Sequence, residues 1–220
     1  MIGFEEQKKL FNLIGIECKR KIEILVIGGS AMLFYNFSKI VTKDIDIVLL
    51  SEKDRKYLIK ILKKIGFKIE FSPKRKGEPY KLVFKDYSLD LFANNVFKLK
   101  ISEGIIKRIR EKIEFGNLTV SIISPEDIIL SKSITERIGD KEDVLLIIKE
   151  TNVKWDTVIN ECVWQTKNGD YRFCFYLYDF LDELVHQFNV KLPINVVKKI
   201  KKLFKESMNK LELTKFKKNR

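Results

Sequence analysis

Short apolar runs alternate with amphipathic stretches along the first half of the chain. Runs rich in β-branched and aromatic residues predict strands, and apolar residues three or four positions apart predict helices. The predicted strands are 23–27, 45–50, 67–71, 81–84, 88–92 and 118–123. The predicted helices are 5–19, one that Ser30 caps, 53–65 and 102–111.

The strand pattern stops at Ser124. Ser124 and Pro125, followed by two acids, are typical of a helix start. Further helices are predicted at 140–150, 155–166, 170–188 and 193–211. We therefore expect an α+β protein: an α/β-like half with a mixed sheet flanked by helices, then a C-terminal helical bundle. The predicted domains are 1–124 and 125–220.

Two acids lie at the start of a predicted apolar strand. Alternate residues of a strand face the same side, so Asp44 and Asp46 should lie together, about 7 Å apart. Two carboxylates that lose hydration repel each other unless a cation compensates. A third acid, Asp90, interrupts another apolar strand. Oxygen ligands of this kind suit Mg²⁺ or Mn²⁺, although an acid at a strand end also occurs without any metal.

A glycine turn precedes these acids. Gly28, Gly29 and Ser30 directly follow an apolar strand and open a helix. Glycines let backbone approach phosphates, and the first turn of a helix offers free N–H groups. The turn lacks the lysine of a P-loop and the third glycine of a dinucleotide-binding motif.

Charge and composition narrow the possible partners. The net charge is +13, and the basic surplus is densest from residue 198 onward. Such a surplus favours polyanions such as nucleic acid, but a solvated helix end or a thermophile's Lys-rich composition explains it equally well. The sequence has no apolar run long enough for a membrane span or a signal peptide, so we expect a cytoplasmic protein with no membrane partner. Its three separated cysteines, Cys18, Cys162 and Cys174, are expected to be free thiols.

The order of these motifs resembles the nucleotidyltransferase superfamily related to DNA polymerase β. The matching segments are Ile27-Gly28-Gly29-Ser30-Ala31, Thr42-Lys43-Asp44-Ile45-Asp46 and Leu89-Asp90-Leu91. The segments 124–132 and 140–143 are similar to AbiEii/MenA-type nucleotidyltransferases and their uncharacterised prokaryotic relatives, some of which are toxins of toxin–antitoxin pairs. The resemblance covers roughly residues 20 to 150 and implies the minimal nucleotidyltransferase sheet.

The resemblance implies a role for each motif. Asp44, Asp46 and Asp90 would be catalytic and would bind two Mg²⁺ or Mn²⁺ ions, and Asp90 would help to activate the acceptor hydroxyl. Gly28, Gly29 and Ser30 would hold the phosphates of a nucleoside triphosphate such as ATP. Lys43 and Lys132 are further candidates for triphosphate contacts, although each could equally be a surface cation. Asp140 and Asp143 are expected to be structural and to position Lys132.

The expected reaction is transfer of a nucleoside monophosphate (NMP) from a nucleoside triphosphate (NTP) to a hydroxyl. The resemblance implies tRNA or another RNA as the acceptor and an antitoxin protein as a partner, whereas a small molecule or a protein acceptor would use the same fold. The basic run Lys74–Lys76 could contact nucleic acid or form a solvated loop. A non-catalytic nucleic-acid-binding or regulatory module is the alternative from another class.

Overall fold

A computed structural model describes residues 1–35, 37–135 and 137–218, with side chains described through residue 208. The chain divides into two compact units, Met1–Ile128 and Ile129–Arg220. Within the basic stretch that begins at residue 198, the side chains from residue 209 onward lie outside the described part.

The first unit contains all the strands of the described chain. They are β1 (Ile2–Gly3), β2 (Ile22–Ile27), β3 (Val41–Thr42), β4 (Ile45–Leu49), β5 (Lys68–Phe71), β6 (Tyr80–Phe84), β7 (Tyr87–Ala93), β8 (Asn95–Val96), β9 (Leu99–Lys100), β10 (Glu111–Phe115) and β11 (Leu118–Ile122). Its helices are α1 (Phe4–Glu17), α2 (Gly28–Met32), α3 (Glu52–Ile65) and α4 (Glu103–Lys107). A further helix, α5 (Pro125–Lys132), runs across the boundary between the units.

The main sheet is mixed, with the order β10-β11-β2-β4-β7-β6-β5. The β2–β11 and β4–β7 pairs are parallel, and the other pairs along this path are antiparallel. Helix α1 contacts β10 and β11, α2 contacts β2 and β4, and α3 contacts β4 and β7. The central strands are apolar and buried, so the core lies around them. The predicted mixed sheet with flanking helices is confirmed.

The second unit is helical throughout its described residues. Its helices are α6 (Ile138–Glu150), α7 (Trp155–Asn168), α8 (Phe173–Phe188) and α9 (Ile194–Lys218). Helix α8 contacts α6, α7 and α9 through its buried side, which includes Leu177, Leu181 and Leu184. The predicted C-terminal helices are confirmed. No helix of the described residues combines the length and the apolar character that crossing a membrane requires.

Two local predictions were wrong. The helix predicted at 102–111 ends at Lys107, because the residues from Glu111 pair with β11 and form the edge strand β10. Ser30 does not cap its helix, since α2 already begins at Gly28. The short strands β1, β3, β8 and β9 were not predicted. By contrast, Cys18, Cys162 and Cys174 are free and buried, as expected.

Candidate active site

The turn after β2 requires a glycine. Gly28 has φ +58°, in the left-handed region that side chains rarely adopt. A β-carbon built on Gly28 would lie 2.7 Å from Oδ2 of Asp46. The carboxylate of Asp46 therefore lies so close to the backbone of Gly28 that no side chain fits between them.

Ser30 joins this turn to the segment that carries the two acids. Its side chain is fully buried. The Ser30 hydroxyl donates to the carbonyl oxygen of Asp44 at 2.9 Å and accepts from the backbone N–H of Asp46 at 3.1 Å. The hydroxyl thus fixes the backbone of Asp44 and Asp46 against α2, which leaves the backbone of the turn, rather than this side chain, to face a ligand.

The sheet brings Asp46 and Asp90 together. Strands β4 and β7 are parallel neighbours, and Asp46 pairs directly with Asp90 in their register. Residues that pair in this way point to the same face of the sheet. Asp44 lies just before β4, and the side chains of Asp44 and Asp90 are 32% and 21% exposed, so both remain accessible at the sheet surface. The structure therefore brings the three predicted carboxylates together around the start of β4 and the middle of β7.

A lysine lies between two of these carboxylates. Lys81, on β6, pairs with Asp90 across the antiparallel β6–β7 ladder. Its Nζ is 3.0 Å from Oδ1 of Asp44 and 4.0 Å from Oδ1 of Asp90. Burial lowers the pKa of Lys81, but the hydrogen bond that Lys81 donates to Asp44 and the negative charge of Asp90 outweigh burial, and the pKa is raised. The lysine is therefore charged at neutral pH.

Lys81 was not identified from the sequence. Its only local signal is its place in the strand 81–84, whereas its partners lie far away along the chain. Alternation within β6 predicts which residues share a face with Lys81, but it does not predict the register with β7. The contact therefore becomes visible only with the fold.

Lys39, a cation beside the glycine turn, was also not identified from the sequence. A β-carbon built on Gly29 would lie 3.0 Å from Oγ1 of Thr42 and 3.7 Å from Nζ of Lys39. The Lys39 ammonium therefore lies beside the turn. Lys43, the lysine that the sequence favoured here, is exposed.

Lys132 belongs to the second unit, where carboxylates surround its ammonium. Its Nζ is 2.6 Å from Oδ1 of Asp140 and 2.7 Å from Oδ2 of Asp143, and its side chain is 8% exposed. Burial lowers the pKa of Lys132, but the charges of Asp143 and Asp140 raise it by more, so the pKa is above its usual value. Thr135 also donates to Asp140. Asp140 and Asp143 hold Lys132, as the sequence suggested.

The chemistry of the donor set agrees with a divalent cation. Asp44, Asp46 and Asp90 offer hard carboxylate oxygens, which Mg²⁺ and Mn²⁺ prefer. Lys81 shows that the Asp44 and Asp90 carboxylates converge on one cation. Among the described side chains, no group of three or more His, Cys, Asp or Glu residues already has a metal-binding arrangement. A metal ion held by these acids would compete with Lys81 for the Asp44 and Asp90 carboxylates.

Comparisons with known proteins identify a family and a similar fold. A family described as a nucleotidyltransferase of unknown function (DUF6036) matches residues 7–169. No curated protein sequence matches the chain significantly. The structure of ANT(2″)-Ia in complex with adenylyl-2″-tobramycin is similar with a TM-score of 0.52 and 16% identity, over 73% of this chain and 98% of that chain.

Two further solved structures have lower scores. An antigenic nucleotidyltransferase-like protein from Paracoccidioides brasiliensis has a TM-score of 0.45 at 14% identity, over 80% of this chain and 94% of that chain. JHP933 from Helicobacter pylori has a TM-score of 0.44 at 14% identity, over 100% of this chain and 98% of that chain. At these identities, a structural likeness concerns the fold alone.

Proposed function

Since the chain belongs to this nucleotidyltransferase family, and hence to the transferases, we propose that it moves an NMP from an NTP to a hydroxyl acceptor. The observation that carries the proposal is the register between Asp46 and Asp90, with the Gly28 turn against Asp46. The acceptor oxygen attacks the α-phosphorus, the bond to the bridging oxygen of pyrophosphate breaks, and pyrophosphate leaves. The acceptor's proton passes to the carboxylate of Asp90.

The three acids are the proposed ligands of two Mg²⁺ or Mn²⁺ ions. Such ions, when bound, neutralise phosphate charge and polarise the reacting oxygens. Asp46 and Asp90 are placed by adjacent strands, and the Ser30 hydroxyl fixes the backbone of Asp44 and Asp46. Their geometry is therefore set by the sheet before a substrate binds, which favours electrostatic stabilisation of the transferred group.

The glycine turn is the proposed cradle of the triphosphate. Gly28 and Gly29 leave room for phosphate oxygens next to the backbone, and Lys39 supplies a positive charge beside them. Lys43 is exposed, and it remains a predicted triphosphate contact. Lys132 remains a predicted triphosphate contact, and a substitution there tests it.

The acceptor is proposed to be RNA, and tRNA is the acceptor that the resemblance to AbiEii/MenA-type proteins implies. The net charge of +13 supports a polyanionic partner. An antitoxin partner and a cytoplasmic location remain part of the same proposal. Inspection of neighbouring genes would test the antitoxin.

The decisive experiment incubates the protein with each α-³²P-labelled NTP, Mg²⁺ or Mn²⁺, and total RNA or a protein extract. We expect label to appear in RNA with wild type and to fall by at least about 10³-fold with Asp46→Ala, as for loss of a principal catalytic group. Asp86→Ala, at the exposed β6–β7 turn, is the matched control and should label normally.

Two outcomes would contradict the proposal. Labelling of protein alone would exclude an RNA acceptor but leave the enzyme class intact. No labelling, together with no thermal stabilisation of wild type by Mn²⁺ and NTP, would favour the non-catalytic module instead.

A further inference from the structure

An open cavity lies in the first unit, at the end of β7. It has a volume of about 320 Å³, near the lower end of the range of roughly 300–1,000 Å³ for small-ligand sites. The loop 73–78, the start of α3 at Glu52 and Arg55, and the segment Ala93–Asn95 line it. Ala93 ends β7, the strand that carries Asp90.

The cavity lining is rich in cations. It contains the four basic residues Arg55, Lys74, Arg75 and Lys76 and the two acids Glu52 and Glu78. Both acids already have partners. Glu52 forms an ion pair with Arg55 at 2.7 Å, and Glu78 accepts hydrogen bonds from backbone N–H groups of the loop. The lining therefore has surplus positive charge that an anion would neutralise.

Arg55 is a buried cation with an unused donor. Its side chain is only 11% exposed, and its guanidinium lies 4.9 Å from the ring centroid of Tyr80. Among the described residues, Nε of Arg55 is buried without a hydrogen-bond partner. Burial of a charged group with an unpaired donor is costly, and an anion bound beside the guanidinium would reduce that cost.

The loop itself already holds one anionic oxygen. The backbone N–H groups of Lys74 and Arg75 both donate to Oε2 of Glu78, at 2.8 and 3.1 Å. The backbone hydrogen bond from Lys74, followed by that from Arg75, lowers the pKa of Glu78. Successive N–H groups that converge on one oxygen form the kind of concavity that binds phosphate. Glu78 thus occupies a position that a phosphate oxygen could take.

Exposed aromatic rings flank this basic loop. Phe71, just before the loop, is 40% exposed, and Phe97 is 44% exposed. The Phe97 backbone N–H donates to the carbonyl oxygen of Gly77 at 2.8 Å, so Phe97 is fixed next to the loop. Cations that follow a backbone and aromatic rings that stack on bases are the two elements of single-strand recognition.

We propose that this cavity binds the phosphate backbone of a single-stranded nucleic acid, with Arg55 and the loop 74–76 on the phosphates and Phe97 and Phe71 against unpaired bases. The carboxylate of Glu78 leaves the loop N–H groups when a phosphate takes its place. Binding does not require catalysis; only the role of the strand as acceptor rests on the proposed function.

The test is fluorescence anisotropy with a labelled single-stranded RNA of about 12 nucleotides, within the site sizes known for such surfaces. Arg75→Ala/Lys76→Ala should weaken binding about tenfold and reduce the slope of log affinity against log salt by about 1.4, since each lost phosphate contact contributes about 0.7. The charge-matched control, Lys60→Ala/Lys63→Ala on the exposed side of α3, should change affinity less than about twofold.

Glu78 provides a test with the opposite sign. Glu78→Gln should tighten binding by about three- to tenfold, because the loop N–H groups lose their charged competitor. Asp86→Asn removes the same charge at the other end of the β6–β7 hairpin and should have a smaller effect. A general electrostatic effect would make the two variants equal and would overturn the assignment to this cavity.

Three other results would also overturn the proposal. The first is an equal loss of RNA affinity in Arg75→Ala/Lys76→Ala and in its control Lys60→Ala/Lys63→Ala. The second is binding of duplex RNA as tight as that of single-stranded RNA. The third is complete competition by inorganic phosphate or AMP at concentrations comparable to the RNA. In the absence of NTP and metal, anisotropy measures binding alone, so the wild-type protein should bind the RNA whether or not it transfers a nucleotide. Failure of the proposed reaction and failure of this site are thereby distinguishable.

Discussion

Gly28 and Asp46 lie in direct steric contact: a β-carbon on Gly28 would be 2.7 Å from Oδ2 of Asp46. The glycine turn and the acid therefore constrain each other's position, although the turn opens α2 and the acid lies in β4. A side chain at Gly28 would also have to adopt φ +58°.

Gly28→Ala should therefore impair both catalysis and stability. The left-handed conformation costs an alanine about 1–2 kcal/mol, and displacement of the Asp46 carboxylate should reduce nucleotide transfer by at least about tenfold. Urea unfolding and the labelling assay measure the two effects. Gly139→Ala is the control, because a β-carbon there meets nothing within 4 Å. Unaltered transfer in Gly28→Ala would contradict the placement of Asp46 in the reaction.

Lys81→Met should increase the affinity for Mn²⁺. The ammonium now partly neutralises Asp44 and Asp90, so it competes with a metal ion for the same carboxylates. Because these side chains are about one-third exposed or less, we expect a modest gain in Mn²⁺ affinity of about three- to tenfold, measured by thermal stabilisation against metal concentration. Lys81→Arg keeps the charge and should bind Mn²⁺ like wild type. Weaker Mn²⁺ binding by Lys81→Met would show that the lysine supports the metal rather than competing with it.

Asp140→Asn should destabilise the second unit at neutral pH. Burial raises the pKa of Asp140, but the charge of Lys132 and the hydrogen bonds from Lys132 and Thr135 outweigh burial and lower the pKa. The folded state therefore binds this proton less tightly than the unfolded state. The stabilisation is thus present above the ordinary value of 3.8 and is lost as pH falls through the lowered pKa. We expect a difference of about 2–4 kcal/mol in urea unfolding at pH 7. This difference should shrink as the pH falls below 3.8. A pH-independent difference would contradict this linkage.

Asp127→Asn should be among the more destabilising single changes in the first unit. Asp127 is fully buried, and Arg108 donates to both of its oxygens, at 3.1 and 2.7 Å. Ser124 also donates to it at 2.7 Å. Loss of the charge leaves the arginine without its counterion, at a cost of about 3–5 kcal/mol.

The control for Asp127→Asn is Glu103→Gln. The Glu103–Lys107 pair is almost fully exposed, so its loss should cost less than about 0.5 kcal/mol in the same urea titration. Equal costs for the two substitutions would show that burial of Asp127 does not matter.

Local patterns predicted the strands that carry the acids and the turn that faces them. Apolar alternation around Asp46 and Asp90 predicts both strands, and the glycines mark the end of β2. Strand β10 was missed because Glu111–Phe115 is a largely exposed edge with three charged residues, and such a segment lacks a buried-strand pattern.

Contacts between distant segments were beyond prediction. The Lys81 ion pairs depend on the register of β6 with β7, and Lys39 depends on the path of the chain before β3. Gly15 illustrates the same limit, since a β-carbon there would lie 1.7 Å from the carbonyl oxygen of Phe115, although nothing around Gly15 in the sequence indicates a close helix–strand approach.

The β6–β7 hairpin carries Lys81 and Asp90 on its strands and the basic loop at one end, before Tyr80. Pairing within the ladder fixes the lysine opposite the acid whatever the length or composition of residues 72–79. Insertions, deletions or charge reversals in that loop can therefore accumulate without disturbing the acids. The loop gives this chain a place where the preference for one ligand over another can diverge while the reaction chemistry stays the same.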